Sequence, residues 1–415
     1  MAFRMRADET EDSGISSEMQ QFIIDNNRLL DELSSPGEGT SISPAQATTS
    51  TASSFAVFNQ SQQAAEVSYQ KIGFGQCGLV FSKPGSAHVV KIARPYFSDA
   101  LWEDFLSHLR LFKAFSLHGD TQCRIPRVYS YVNKVNRAWW DANTALLPPN
   151  PEFPLPSQAL ITERILPLPL AIRNVLIDKF CPEGLRESAK ASPLNNDCLA
   201  RMYLGRHRTP NPPLAPNFSL RNYNLCLDQM LALGLPVQDY AREMAACLAI
   251  IHWQARVDGY DIEFVLGSDA EYATHVAQSL GMDVEQLEQL PKHSDVEVLL
   301  QRRGVRLWVI DFNLCNRFAM DDAFILGHEK EVLSQLVLAF FENDPYYPLP
   351  LMETNVDRQL WSIFRQEYLK KAAEILSGAS QALKRLPVKF LDACVEREHR
   401  KLGKGLGHGH RDFKG

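Results

Sequence analysis

Lys71-Ile72-Gly73-Phe74-Gly75-Gln76-Cys77-Gly78-Leu79-Val80, followed by His88-Val89-Val90-Lys91-Ile92, is the stretch whose reading decides the fold. Apolar and β-branched residues on both sides of a glycine-rich turn spell strand, tight loop, strand, and Lys91 sits inside the next such run. Glycines at Gly73, Gly75 and Gly78 allow backbone amides to approach an anion that a side chain would keep away. Lys91, arriving beside that loop, can hold phosphate oxygens if an acid steadies it. The following segment, Leu101–Phe115, offers Glu103 or Asp104 on a helix whose Leu101, Phe105, Leu109 and Phe112 lie near one face. A plain surface hairpin with a solvated lysine would look similar locally, so the choice depends on the rest of the chain.

Working outward, Ile125–Val132 and Ala159–Leu166 return to strand character. Strands, a helix and two more strands predict a small α+β lobe over residues 66–168. A larger helical lobe is expected over 169–380. Its clearest helix is Tyr240–Trp253, where Tyr240, Met244, Cys247, Leu248 and Ile251 share a stripe. Inserts are expected at ~190–220, around the Pro-rich 209–216, and at ~268–306, which is charged. Residues 1–65 are rich in Ser, Thr, Gln and Ala and read as disordered, apart from an amphipathic stretch at Met19–Leu33. Residues 381–415 read as a basic tail.

The bulk composition narrows the function classes. A net charge of −6 gives no general attraction to nucleic acid or acidic membranes, so a DNA-binding role is not expected and any RNA contact needs a local basic patch. The N-terminus lacks an apolar signal core, and no apolar run is long enough to span a bilayer. The 8 cysteines form no CxxC pair and read as reduced buried thiols, which with the missing signal implies a cytoplasmic protein.

Downstream, Arg256-Val257-Asp258 is followed by Glu263-Phe264-Val265-Leu266, and Trp308-Val309-Ile310 leads into Asp311-Phe312-Asn313. In this order, with the glycine loop, Lys91 and a helix acid ahead of them, they resemble the catalytic-loop and metal-loop motifs of the protein-kinase superfamily. The resemblance implies an α+β, protein-kinase-like two-lobed fold with a strand-rich N-lobe and a helical C-lobe. The departures bear on chemistry. Glu263 stands where kinases keep a metal-binding Asn, Asn313 replaces a Gly, and no peptide-docking A-P-E segment follows Asp311. The chain is therefore not expected to phosphorylate proteins.

A more specific resemblance runs through Lys71–Val80, Thr162-Glu163-Arg164-Ile165, His252-Trp253-Gln254, Asp258–Gly267, Ile310-Asp311-Phe312-Asn313 and Asn343-Asp344-Pro345-Tyr346-Tyr347-Pro348. Together these are similar to a fungal family labelled a domain of unknown function and "zinc finger protein". Its members include arginine-containing cyclodipeptide synthases. That resemblance implies an aminoacyltransferase that joins the arginyl group of arginyl-tRNA to a second aminoacyl-tRNA, giving a cyclo(Arg-Xaa) diketopiperazine for a secondary-metabolite pathway. No cofactor and no metal are implied, because an aminoacyl ester is already activated. Cys394, His399, His408 and His410 make only a loose cluster without zinc-ligand spacing.

The residue chemistry can be weighed against that reaction. Ester aminolysis needs a deprotonated α-amine, whose ordinary pKa is about 7.7. A carboxylate raised by its neighbours can take the proton, and the candidates are Asp258, Asp261, Glu263 and Asp311. The same acids suit a guanidinium. Gly73, Gly75, Gly78 and Lys91 would then hold a nucleotide, such as the terminal adenosine of a tRNA. Phosphate contacts could come from Arg201, Arg206 and Arg208, from Arg302, Arg303 and Arg306, or from Arg397, Arg400, Lys401, Lys404 and Arg411. Two other readings stay open: a small-molecule phosphotransferase, and a non-catalytic pseudokinase-like scaffold.

Overall fold

A computed structural model describes residues 68–148, 154–208, 218–269, 304–320 and 322–405. The readings placed on residues 1–65, the Pro-rich 209–216 and most of the charged insert lie outside these residues. The fold is α+β, with two lobes arranged as in protein kinases.

In the N-lobe, β1 (Gln70–Phe74), β2 (Gly78–Ser82) and β3 (His88–Ala93) form an antiparallel meander. Helix α1 (Ser98–Ser116) follows, then β4 (Val128–Val132), a short helix α2 (Arg137–Asn143) and β5 (Ala159–Glu163). The sheet order is β1-β2-β3-β5-β4. Side-chain alternation along the strands builds two cores. Leu79, Phe81, Val90 and Ile92 pack with Trp140 of α2 on one face, while Leu101, Phe105 and Leu109 of α1 cover Leu160 and Val128 on the other. Gly78 is required for this sheet, since a Cβ there would meet the Ile92 carbonyl oxygen at 2.7 Å.

The C-lobe holds α3 (Leu170–Phe180), α4 (Arg186–Ala191), β6 (Ala200–Tyr203), β7 (Tyr223–Cys226), α5 (Leu227–Ala232) and α6 (Val237–Ala249). Next come β8 (Glu263–Asp269) and β9 (Gly304–Ile310), then α7 (Asp322–Glu342), α8 (Asn355–Ile375) and α9 (Gln381–Gly403). Met244, Cys247, Leu248 and Ile251 are buried, as the stripe on α6 predicts, while Tyr240 is only partly covered. Two expectations are corrected here. The C-lobe contains a four-stranded sheet, β7-β6-β8-β9, and β6 lies inside the stretch expected to be an insert. Short four-residue strands held by partners far along the chain leave little local trace. The basic tail expected from residue 381 is instead helix α9 up to Gly403. It starts at Ser380, whose Oγ accepts from the Leu383 amide, and buries Leu386, Phe390, Leu391 and Cys394.

Where α6 runs out, Ile250–Gln254 form a π-helical turn that buries His252 completely. The His252 Nδ1 and the Tyr368 hydroxyl of α8 share a hydrogen bond of 2.8 Å, and the Phe390 ring of α9 lies edge-on at 5.0 Å. Burial pushes the His252 pKa down to about 3, and burial likewise takes His108 of α1 down to about 4. Both rings must stay neutral in the fold, whereas the unfolded chain takes up protons near pH 6.5. This contribution to stability is therefore complete above about pH 6.5 and is lost as pH falls towards 4. Each histidine is expected to cost about 2 kcal/mol at pH 5. Urea unfolding at pH 7 and pH 5 should show the drop, and His252→Gln should show a smaller difference between the two.

Candidate active site

The cleft between the lobes is lined by Gly73, Gly75, Val80 and Lys91 from the N-lobe and by Arg201, Glu263 and Asp311 from the C-lobe. Strand register explains the meeting of the acids. β8 and β9 pair with Glu263 opposite Ile310, so Asp311 emerges at the end of the same ladder. On β6, Arg201 is opposite Val265. That puts it diagonally across from Glu263 on the same face.

Lys91 Nζ donates to Asp104 Oδ2 at 2.7 Å and to Asp311 Oδ1 at 3.1 Å. Of the two acids proposed for α1, Asp104 is thus the partner, and it is almost wholly buried. Its second oxygen accepts from the Phe312 amide at 3.3 Å, so one carboxylate ties α1 both to β3 and to the Asp311 loop. Burial alone would lower the Lys91 pKa. The charges of Asp104 and Asp311 outweigh it and hold the ammonium well above its usual value.

Glu263 is the unusual acid. Its Oε1 accepts from Arg201 Nη2, and Arg201 Nη1 reaches Asp344 Oδ2 at 3.4 Å. Asp344 Oδ2 also accepts from the Tyr203 hydroxyl at 2.7 Å. Burial, assisted by the charges of Asp311, Asp344 and Asp261, exceeds the opposing pull of Arg201 and raises the Glu263 pKa to about 7. A carboxylate in that range exchanges protons readily at neutral pH.

The site also carries backbone strain. Asn222, which lines the cleft, has φ 53°, and Asp261 and Asp311 both have φ 64°. Left-handed backbone at such residues costs roughly 1–3 kcal/mol each and gathers at functional positions.

Not every expected residue reaches the cleft. Asp258 does not line it. The Asp258 carboxylate instead accepts from the Tyr260 and Asn316 amides, from Asn316 Nδ2 and from Gln335 Nε2, at 2.9–3.1 Å. Asp258 is an anchor for the loops beneath the site. Asp261 stands behind the cleft and acts on Glu263 through charge. Gly78 also lies outside the lining and serves the sheet, while its carbonyl accepts from the Gly75 amide at 2.9 Å to close the loop.

Two contributors escaped the sequence reading of the site. Arg201 was expected to meet tRNA phosphates and instead faces Glu263. Asp344 carried a signal, because it falls in the Asn343–Pro348 string. Asn343 Nδ2 donates to the Ile262 carbonyl at 3.1 Å, which sets Asp344 beside β8. Of the other expected basic contacts, Arg302, Arg303 and Arg411 lie outside the described residues, and three are engaged within the protein. Arg208 pairs with Asp228, Arg306 with Asp269, and Arg397 with Glu342.

The comparisons with known proteins add little to this geometry. A family described as "Zinc finger protein" (DUF3669) matches residues 307–380, the label expected from the sequence resemblance. Among the described residues no group of three His, Cys, Asp or Glu side chains is placed to hold a metal ion, and Cys394 is buried in α9. No curated protein sequence matches the chain. A solved structure, that of the microcompartment-associated aminopropanol kinase, overlaps 86% of this chain and 99% of its own at 14% identity, with a TM-score of 0.18. At that TM-score the likeness has no bearing on fold or activity, and the kinase-like arrangement rests on the sheet order and the Lys91 contacts. No helix among the described residues is long and apolar enough to cross a membrane.

Proposed function

We propose that the chain is an aminoacyltransferase that takes arginyl-tRNA and a second aminoacyl-tRNA and releases cyclo(Arg-Xaa). The observation that supports this reading most is Glu263, an acid with a pKa of about 7 in the cleft, close to the about 7.7 of an α-amine. Glu263 takes the proton as the α-amine of one aminoacyl group attacks the ester carbonyl of the other. The new C–N bond forms, the ester C–O bond breaks, and the proton returns to the departing ribose oxygen. The same exchange within the resulting dipeptidyl ester closes the ring. Arg201, whose Nε is buried without a hydrogen-bond partner among the described residues, offers positive charge to the oxyanion that forms in each step. Asp311 and Asp344 suit the guanidinium of the substrate. The terminal adenosine of the tRNA lies under Gly73–Gly75, where a kinase would hold ATP.

A second reading, a phosphotransferase acting on a small molecule, is favoured by one observation, the Lys91 bridge between Asp104 and Asp311. Glu263 and Asn313 in place of the metal-binding Asn and the Gly weigh against it. A non-catalytic scaffold would leave the raised Glu263 without a use. Supplying the purified chain with pre-charged tRNAs and no ATP separates these readings. Cyclo(Arg-Xaa) is expected by mass spectrometry, and RNase or mild alkaline deacylation should abolish it. Product that requires ATP and survives RNase would overturn the synthase reading. Phosphorylation of a small alcohol or amine, with no dipeptide formed, would establish the second.

A further inference from the structure

Away from the cleft, Arg110, Arg256 and Arg317 line one concavity together with Gln254, Phe318 and Met320. The three cations come from separate parts of the fold. Arg110 lies on α1, six residues beyond Asp104, at the end of the helix that packs on the Ile250–Gln254 turn. Arg256 leaves that turn, and Arg317 follows the Asp311 loop.

The backbone sets the last two side by side. Val257 and Arg317 form an antiparallel bridge, and the Arg256 carbonyl accepts from the Phe318 amide at 3.2 Å. Arg256 has φ 59°, the left-handed residue that ends the helical turn, where the Val257 amide donates to the Ile251 carbonyl at 3.1 Å and turns the chain towards Arg317. No acid belongs to the lining. Among the described residues, none of the three guanidiniums makes a hydrogen bond or an ion pair. Burial, and then the charge of Arg317, push the Arg110 pKa down to about 10, with Glu103 offsetting a part. A guanidinium does not shed its proton at neutral pH, so repulsion within such a cluster is not relieved that way. Gathered like charges disfavour the empty state, and a multiply charged oxyanion would offset them.

We infer that Arg110, Arg256 and Arg317 form a phosphate-binding site that clamps the two lobes together. The chemistry specifies the ligand class, because planar guanidinium forks pair with phosphate oxygens two at a time. Occupancy would also be felt in the cleft. Asp104, the partner of Lys91, shares α1 with Arg110. Asp258 follows Arg256 and Val257 and is bonded to Asn316, which precedes Arg317. A phosphate here would hold α1 against the loops that carry Asp258 and Asp311. The inference does not depend on which reaction the cleft performs.

The test uses the full chain and inorganic phosphate, titrated against chloride at equal ionic strength. Calorimetric binding is expected, with a higher melting temperature in phosphate than in chloride. Arg110→Gln and Arg317→Gln should each weaken phosphate binding at least tenfold. In chloride both variants should melt no lower than the parent, because a repulsive contact has been removed. Phosphate that stabilises no more than chloride would overturn the site, as would variants that bind phosphate as well as the parent does. Variants that lose stability in chloride yet keep the full gain in phosphate would overturn it too. An uncharged tRNA then distinguishes the source: displacement of bound phosphate identifies an RNA backbone, and retention identifies a small phosphate compound. Both support the site.

Discussion

Glu263→Gln is expected to lower cyclodipeptide formation by about a hundredfold or more while the chain stays folded. General-base assistance contributes roughly 10²–10⁴ in rate. The amide keeps the shape and one acceptor for Arg201 but cannot take a proton. Single-turnover assays with pre-charged tRNAs would measure the loss, and circular dichroism would confirm the fold. The pH profile is the sharper check. A base works only when ionised, so besides the climb set by the α-amine at about 7.7 the parent rate should show an inflection at about 7 from Glu263. In Glu263→Gln that inflection should vanish, leaving only a residual rate. A variant that keeps both the rate and the inflection would remove Glu263 from the mechanism.

Lys91→Met should produce the largest loss of stability among single changes at the cleft, about 3–5 kcal/mol, the usual effect of leaving one member of a buried ion pair alone. Asp104, only 3% exposed, would keep its bond to the Phe312 amide but lose its counter-charge. Asp311 would lose the Lys91 ammonium that holds its carboxylate and be free to swing with its loop. Urea unfolding of the single and double variants distinguishes a charge effect from a packing effect. Lys91→Met combined with Asp104→Leu should regain most of the stability, because an apolar pair of similar volume dispenses with the desolvation of both charges. Activity should not return in the double variant, since Asp104 also positions the Asp311 loop. A double variant as unstable as the single one would show that packing around Lys91, and not the charge pair, is what matters.

The parts of the site legible in the sequence are those that belong to a local pattern. Gly73 and Gly75 sit in a tight turn between alternating strands, Lys91 lies in a β-branched run, and Glu263 and Asp311 open and close a hairpin. Asp258 was legible as a residue but not in its role. Its carboxylate meets four donors only after the 258–260 and 311–316 loops have folded over α7. Arg201 could not be read, because its place diagonally across from Glu263 follows from the pairing of a four-residue strand with a partner far along the chain. Among the larger elements, α1 and α6 announced themselves by a clean 3–4 spacing of apolar residues. Helix α9 did not. Its polar, basic composition and the internal Pro387 mask Leu386, Phe390 and Cys394, which pay no visible tribute to amphipathicity until their partners are known.

That last helix bears on how the unit is inherited. The segment shared with the "Zinc finger protein" family stops at residue 380, whereas the hydrophobic interior continues into α9. Arg397 of that helix lies over the Phe341 ring at 4.4 Å and reaches the Val337 carbonyl of α7, and Phe390 covers His252 behind the loop that carries Asp258. The matched stretch is thus not a self-sufficient module. It is the middle of a body whose closing wall lies outside the matched boundary, and any recombination of this segment into another chain would have to carry that wall with it.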